Sequence, residues 1–172
     1  GMCEQHAVGL AAGLARGGMK PVAAIYSTFL QRAYDQAIHD VCIQNLPVVF
    51  AMDRGGLVGD DGITHHGVFD IAYLSALPRI VLLAPKDLDE FEAMLNFALE
   101  HPGPIAIRYP RGSVLRFHPE VTLPALRESP PIEMGKAERL TTGSDLAIIA
   151  LGSMVYPALE AAALLQGQGI ST

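Results

Sequence analysis

Apolar positions along this chain switch repeatedly between helical spacing and short unbroken runs. Over residues 5 to 16, Val8, Ala11, Ala12 and Ala15 recur at helical spacing, and Gly17-Gly18 supplies a stop. Pro21 to Tyr26 is a short β-branched and apolar run that predicts a strand. Ser27 or Thr28 then caps a predicted helix reaching about Gln44, with Phe29, Ala33, Ala37 and Val41 on one stripe. Val48 to Met52 predicts a second strand ending at Asp53, and a glycine-rich loop follows from Arg54 to Gly67. A short helical pattern covers Val68 to Leu77, and a third strand covers Arg79 to Ala84. Lys86-Asp87 lead into a helix to about Glu100, with Phe91, Met94, Leu95 and Ala98 on its apolar face. Ile105 to Arg108 predicts the fourth strand. Fully apolar strands alternating with helices predict an α/β fold, a mostly parallel sheet with helices on both faces.

From Pro110 to Pro131 the periodicity lapses into a Pro-rich, mixed-charge stretch that reads as a linker. Asp145 to Leu151 then predicts another buried strand, followed by a helix from about Val155 to Leu165 and by Gly167 and Gly169. That is the pattern of the beginning of a second α/β domain.

Composition narrows the function classes. The 172 residues are 50% hydrophobic and carry a formal net charge of -6, so the long-range field repels nucleic acid. The longest apolar run, Leu146 to Leu151, is far short of the roughly 20 residues a helix needs to cross a bilayer, so no membrane partner is expected. Two cysteines without metal spacing suit a reduced, cytoplasmic protein.

In open parallel sheets, ligands gather beyond the carboxyl ends of the strands. Tyr26, Ser27, Phe29 and Arg32 follow the first predicted strand; Asp53, Arg54, Asp61, Thr64, His65 and His66 follow the second; Tyr109 and Arg111 follow the fourth. Such a set suits a small anionic substrate, because guanidinium forks match carboxylate and phosphate. Each residue also has a plainer explanation. Glu4 at a helix start is favoured by the helix dipole, Phe29 and Tyr34 suit a core, and Arg32 suits a solvated face. The acidic and His residues of the loop lack the spacing of a metal site, and GGLVGDDG lacks the GK[ST] of a phosphate loop, so no metal ligand is expected.

Four segments carry a more specific signal: EQHAVGLAAGLARGGMKPVAAIYSTFLQRAYDQAIHDV (4–41), DRGGLVGDDGITHHGVFD (53–70), RYPRG (108–112) and GSDLAIIALGSMVYPALEAA (143–162). Together they resemble the 1-deoxy-D-xylulose-5-phosphate synthase family, part of the transketolase-like, thiamine diphosphate-dependent group, in its pyrimidine-binding domain and the start of its C-terminal domain. STFLQRAYDQ separates that family from ordinary transketolases and from 2-oxoacid dehydrogenase β subunits. A β subunit of that kind, or a non-catalytic interaction module, is the alternative.

The resemblance implies a thiamine diphosphate-binding fold. It implies a pyrimidine-binding domain over 1–112 without its first strand and helix, a linker over 113–132, and the first β-α unit of a transketolase C-terminal-like domain over 133–172. It implies that Glu4 is the glutamate that hydrogen-bonds N1′ of the cofactor's aminopyrimidine, that Phe29 stacks on that ring and that Tyr26 lines the same pocket. Arg32 and Arg111 match the pair that grips the phosphate of glyceraldehyde 3-phosphate. Asp61 and His65 match residues at the substrate's hydroxyl or carbonyl groups, with His65 a candidate for proton transfer. The implied reaction joins pyruvate to glyceraldehyde 3-phosphate, giving 1-deoxy-D-xylulose 5-phosphate and CO2. Cys3 stands where Ala is usual, and His66 where Gln is frequent. The Gly-Asp-Gly…Asn motif that holds Mg2+ and the diphosphate does not occur, so the isolated chain is expected to be inactive. Self-association, as a homodimer or higher, is expected from uncovered apolar faces.

Overall fold

The computed structural model describes residues 2–112 and 131–172. Its contacts divide the chain into two units, residues 1–83 with 95–112, and residues 84–94 with 113–172.

The first unit is built on a parallel sheet. Helix α1 (Glu4–Arg16) buries the expected stripe of Val8, Ala11, Ala12 and Ala15 and ends at Gly17. Strand β1 (Val22–Ala24) follows, and then a helical stretch over residues 27–42 that is less regular than the spacing predicts. It passes through α2 (Ser27–Leu30), a 3₁₀ turn (Gln31–Ala33), α3 (Tyr34–Gln36) and a π turn (Ala37–Cys42). Ala33 and Val41 are fully buried, as the stripe requires, whereas Phe29 is only partly covered. The expected cap is absent: Tyr26 occupies the N-cap position without a side-chain bond, and the Ser27 hydroxyl turns inward to Asp70. Ser27 stands one residue inside the helix rather than at its cap, and its hydroxyl donates a strong bond to a buried charged acceptor.

Strands β2 (Val49–Met52), β3 (Val81–Leu83) and β4 (Ile105–Arg108) complete the sheet in the order β1-β2-β4-β3, every pair parallel. Between β2 and β3 lie two 3₁₀ turns (Gly59–Asp61 and Ile63–His65) and helix α4 (Asp70–Ser75). Successive strand residues face opposite sides. Val49 and Phe50 are both buried, as are Ile105, Ala106 and Ile107, so both faces of the central strands are covered. The edge strands are short and less buried, as edges usually are. Each fully buried Phe, Leu or Met such as Phe50, Leu30 or Met52 contributes about 1.5–3 kcal/mol.

Because the strands are parallel, their carboxyl ends share one edge, where backbone bonds continue past the strands. Ser27 N–H donates to Asp53 O at 2.9 Å, Tyr109 N–H to Met52 O at 3.0 Å and Gly55 N–H to Tyr109 O at 2.9 Å. Three loops are thereby sewn together at the edge where the sequence places its polar residues.

Helix α5 (Leu88–Glu100) crosses from the second unit into the first along the chain. In the second unit, Tyr156 donates to Asp87 at 2.8 Å and Lys86 pairs with Glu90 and Glu138. A 3₁₀ turn (Gly152–Met154) leads into α6 (Val155–Gly167), where the sequence predicts a helix. The buried strand predicted over Asp145 to Leu151 does not form. Residues 145–149 are exposed, Ile149 almost fully, and none pairs in a ladder. A parallel strand depends on neighbours far along the chain, and the described residues present none to it. The linker read over 113–132 lies, up to residue 130, outside the described residues.

Candidate functional site

Glu4 opens α1 yet is 7% exposed, which a carboxylate tolerates only when something compensates for lost hydration. One oxygen, Oε1, lies 3.5 Å from Arg32 Nη1. The other, Oε2, is buried without a hydrogen-bond partner. An unsatisfied buried acceptor costs about 1–3 kcal/mol, more when charged. Glu4 lines a cavity of about 450 Å³ together with Met2, Cys3, Ala7, Ala24, Ile25, Tyr26 and Phe29. The wall is apolar and aromatic apart from this carboxylate. That combination fits a flat heteroaromatic ring that presents an N–H donor to the carboxylate.

Tyr26 and Phe29 lie three residues apart, at the start of α2, so both rings leave the same side of the turn. Their centroids are 5.4 Å apart and their planes 10° from parallel. His65, from the loop after β2, meets Phe29 edge-on at 5.2 Å. The guanidinium of Arg32 sits 4.7 Å from the Phe29 centroid, and that of Arg54 3.9 Å from the Tyr26 centroid.

The loop itself is pinched at its neck. Gly56 and Gly67 exchange backbone hydrogen bonds, both at 2.8 Å. Gly67 admits no side chain, since a Cβ there would collide with Arg54 O and with the Ser27 hydroxyl. Arg54 adopts φ 57, an uncommon conformation for a non-glycine residue, and from it bonds Asp53 at 2.9 Å and Asp61 at 2.8 Å. Arg111 Nε approaches the same Asp61 oxygen at 3.3 Å. The hydrogen bond from Arg54 holds the Asp61 carboxyl below the usual range; burial opposes this in part, and the charge of Arg111 reinforces it. His66 turns back into the loop, accepting from Val58 N–H through Nδ1 at 3.2 Å, whereas His65 Nδ1 lies 2.9 Å from the Thr64 hydroxyl.

The residues to which the resemblance gives roles therefore lie on one connected set. Glu4 touches Arg32, Arg32 covers Phe29, and Phe29 meets Tyr26 and His65. Tyr26 is capped by Arg54, which bonds Asp61, which pairs with Arg111. Ser27 and Arg54 stood among the strand-end residues of the sequence without a role of their own, and Asp70 and Arg108 had no role there at all. The position of Arg54 directly after β2 was a usable signal. Asp70 and Arg108 had none, being one polar residue in a short helical pattern and one at a strand end. Among the described residues, no group of His, Cys, Asp and Glu could hold a metal ion, and no helix is long and apolar enough to cross a membrane.

Comparison with known proteins agrees with this architecture. The transketolase pyrimidine-binding domain family matches residues 1–115, and the transketolase C-terminal domain family matches residues 135–172. The 1-deoxy-D-xylulose-5-phosphate synthase of Thermomicrobium roseum is 63% identical over 171 residues, covering 99% of this chain and 26% of that protein. The 1-deoxy-D-xylulose-5-phosphate synthase 1 of Geobacter sulfurreducens is 59% identical over 170 residues, with coverage of 99% and 26%. The chain thus spans about a quarter of the length of these curated relatives. Among solved structures, an inactive beta4 tetramer of a split-gene transketolase is 32% identical with a TM-score of 0.83, over 98% of this chain and 52% of the other. A transketolase from Campylobacter jejuni shares the fold at 22% identity and a TM-score of 0.72, over 94% and 25%.

Proposed function

The chain belongs to the family of transketolase pyrimidine-binding domains, and on that premise we propose that its cavity holds the aminopyrimidine of thiamine diphosphate. The reaction served is the condensation of pyruvate with glyceraldehyde 3-phosphate to 1-deoxy-D-xylulose 5-phosphate and CO2. The observation that carries this reading is the unpartnered Glu4 oxygen beside a stacked aromatic pair, with Arg32 over the Phe29 ring. High identity to named synthases supports the choice of substrates. Residues 1–112 form the pyrimidine-binding domain in this reading, and 113–132 link it to the segment 133–172.

When bound, thiamine diphosphate with its Mg2+ supplies a nucleophilic carbon and an electron sink for the loss of CO2. The chain's residues do the rest. Glu4 accepts the hydrogen bond of the ring nitrogen and sets the protonation of the ring. Phe29 stacks on a face of the ring, Tyr26 lines the pocket beside it, and both keep water from it. Arg32 and Arg111 bind the phosphate. Arg111 is 45% exposed and, among the described residues, meets Asp61 through Nε alone, leaving the other N–H donors of its fork for an anion. Asp61 accepts from a substrate hydroxyl, and His65 gives a proton to the aldehyde oxygen as the new bond forms.

The test is steady-state condensation by the active assembly containing this chain. Arg111→Ala is expected to raise KM for glyceraldehyde 3-phosphate by about a hundredfold, with KM for pyruvate nearly unchanged, as loss of a charge-assisted bond to phosphate requires. An unchanged KM for the phosphorylated aldehyde would remove Arg111 from the phosphate site, and absence of product from the unsubstituted assembly would overturn the reaction.

A further inference from the structure

Asp70 is 1% exposed, carries a charge and touches none of the residues assigned above to substrate or cofactor. Its contacts show what it does. Oδ2 accepts from the Ser27 hydroxyl at 2.8 Å and from Arg108 Nε at 2.9 Å, and Oδ1 accepts from Ile71 N–H at 2.8 Å. These partners come from three separate stretches of chain. Ser27 follows Tyr26 and precedes Phe29 by two residues. Arg108 ends β4, three residues before Arg111. Ile71 belongs to α4, which begins where the glycine-rich loop ends.

The two side chains that Asp70 orients are the ones on which the loop neck rests. A Cβ on Gly67 would strike the Ser27 hydroxyl, so that hydroxyl and the loop backbone are already in van der Waals contact. The Arg108 guanidinium lies flat beneath Gly55, 3.1–3.3 Å from where a Cβ would sit, and its Nη2 approaches Gly67 O at 3.5 Å. Arg54 stands at the same neck with its carbonyl against Gly67, and its strained backbone aims its guanidinium at Asp61. Rotation of Ser27 or Arg108 would therefore move the neck, and with it Asp61 and His65 relative to Phe29 and Tyr26.

We propose that Asp70 is a positioning residue: through Ser27 and Arg108 it fixes the neck of the 54–67 loop, and so sets where Asp61 and His65 stand against the aromatic pair. Its consequence for catalysis rests on the roles proposed above for Asp61 and His65, but the placement itself does not.

The experiment uses Asp70→Asn, which keeps size and loses charge, and Ser27→Ala, a milder change that spares the Asp70–Arg108 pair should the first variant not fold. Two readouts are taken. The first is the NMR signal of the His65 ring in the full chain, whose shift depends on the edge-on Phe29 ring. The second is the KM-against-kcat split for glyceraldehyde 3-phosphate in the active assembly. We expect the His65 resonance to move towards its unstructured position in both variants, more in Asp70→Asn. We expect KM for the aldehyde to rise about tenfold while KM for pyruvate stays within about twofold, the pattern of a misplaced acceptor site. A lowered melting temperature with the His65 signal in place would show a purely structural role and overturn the proposal. So would an unmoved signal in a variant of unchanged stability. A moved His65 signal with an unchanged KM would keep the positioning and refute the catalytic roles of Asp61 and His65, so the two readings fail separately.

Discussion

Two buried carboxylates in the first unit differ in one respect. Asp70 has three hydrogen-bond donors and an ion pair with Arg108 inside the protein. Glu4 has one long contact to a half-exposed arginine and an oxygen that nothing satisfies. Both have lost their hydration, and only one is compensated within the fold. A saturated carboxylate belongs to the scaffold, since its geometry is fixed by protein groups. An unsaturated one against an apolar cavity has a hydrogen-bond position left for a group from outside the fold, and that deficit is what supports the ligand site proposed for Glu4.

The contrast can be broken by substitution, and the largest effect is expected at Glu4. Glu4→Gln should lower turnover of the active assembly about a thousandfold, the range of a lost acid-base contribution. It should not lower stability by more than about 1 kcal/mol, because a contact to a half-exposed Arg32 contributes little and the buried charge it removes is uncompensated. Parallel turnover and urea-unfolding measurements decide this, and a stability loss equal to that of an Asp70 variant would erase the distinction.

The converse holds at Asp70. Asp70→Ala strands the Arg108 guanidinium, whose side chain is 17% exposed. It should cost about 3 kcal/mol of unfolding free energy, read from the urea midpoint. A loss under about 1 kcal/mol would mean that water replaces the carboxylate and that Asp70 is no keystone.

Asp61 sits between the two cases, with its carboxyl held low by Arg54 and then by Arg111, and partly open to solvent. A depressed carboxylate adds stability that is present above its unfolded pKa of about 3.9 and is lost as pH falls through the folded value. Stability should therefore drop below about pH 4 in the wild type, and less steeply in Asp61→Asn, as unfolding midpoints taken between pH 3 and 5 would show. Identical slopes would mean that the Arg54–Asp61 contact persists after unfolding or contributes nothing.

How far the sequence reached is clear residue by residue. Helix α1, the four strands of the sheet and helix α6 follow from local periodicity, because burial of one face or of a whole strand is written into every few residues. The strand over 145–151 looked equally apolar and did not form, since a ladder needs partners that local pattern cannot supply. Residues 27–42 read as one helix and turned out irregular. Their backbone answers to Asp70 and Tyr73 across the fold, with the Tyr73 hydroxyl donating to Ser27 O at 3.0 Å. Glu4, Tyr26, Phe29, Arg32, Asp61, His65 and Arg111, named by position at strand ends or by resemblance, lie within one network of contacts.

The sequence by itself determined the helices and strands of the first unit and which polar residues follow its strands, because residue type and local spacing encode both. Only the tertiary structure decided that Glu4 is left one partner short while Asp70 is saturated. Hydrogen-bond satisfaction depends on donors that come from 38 and 43 residues away, and no local pattern counts them.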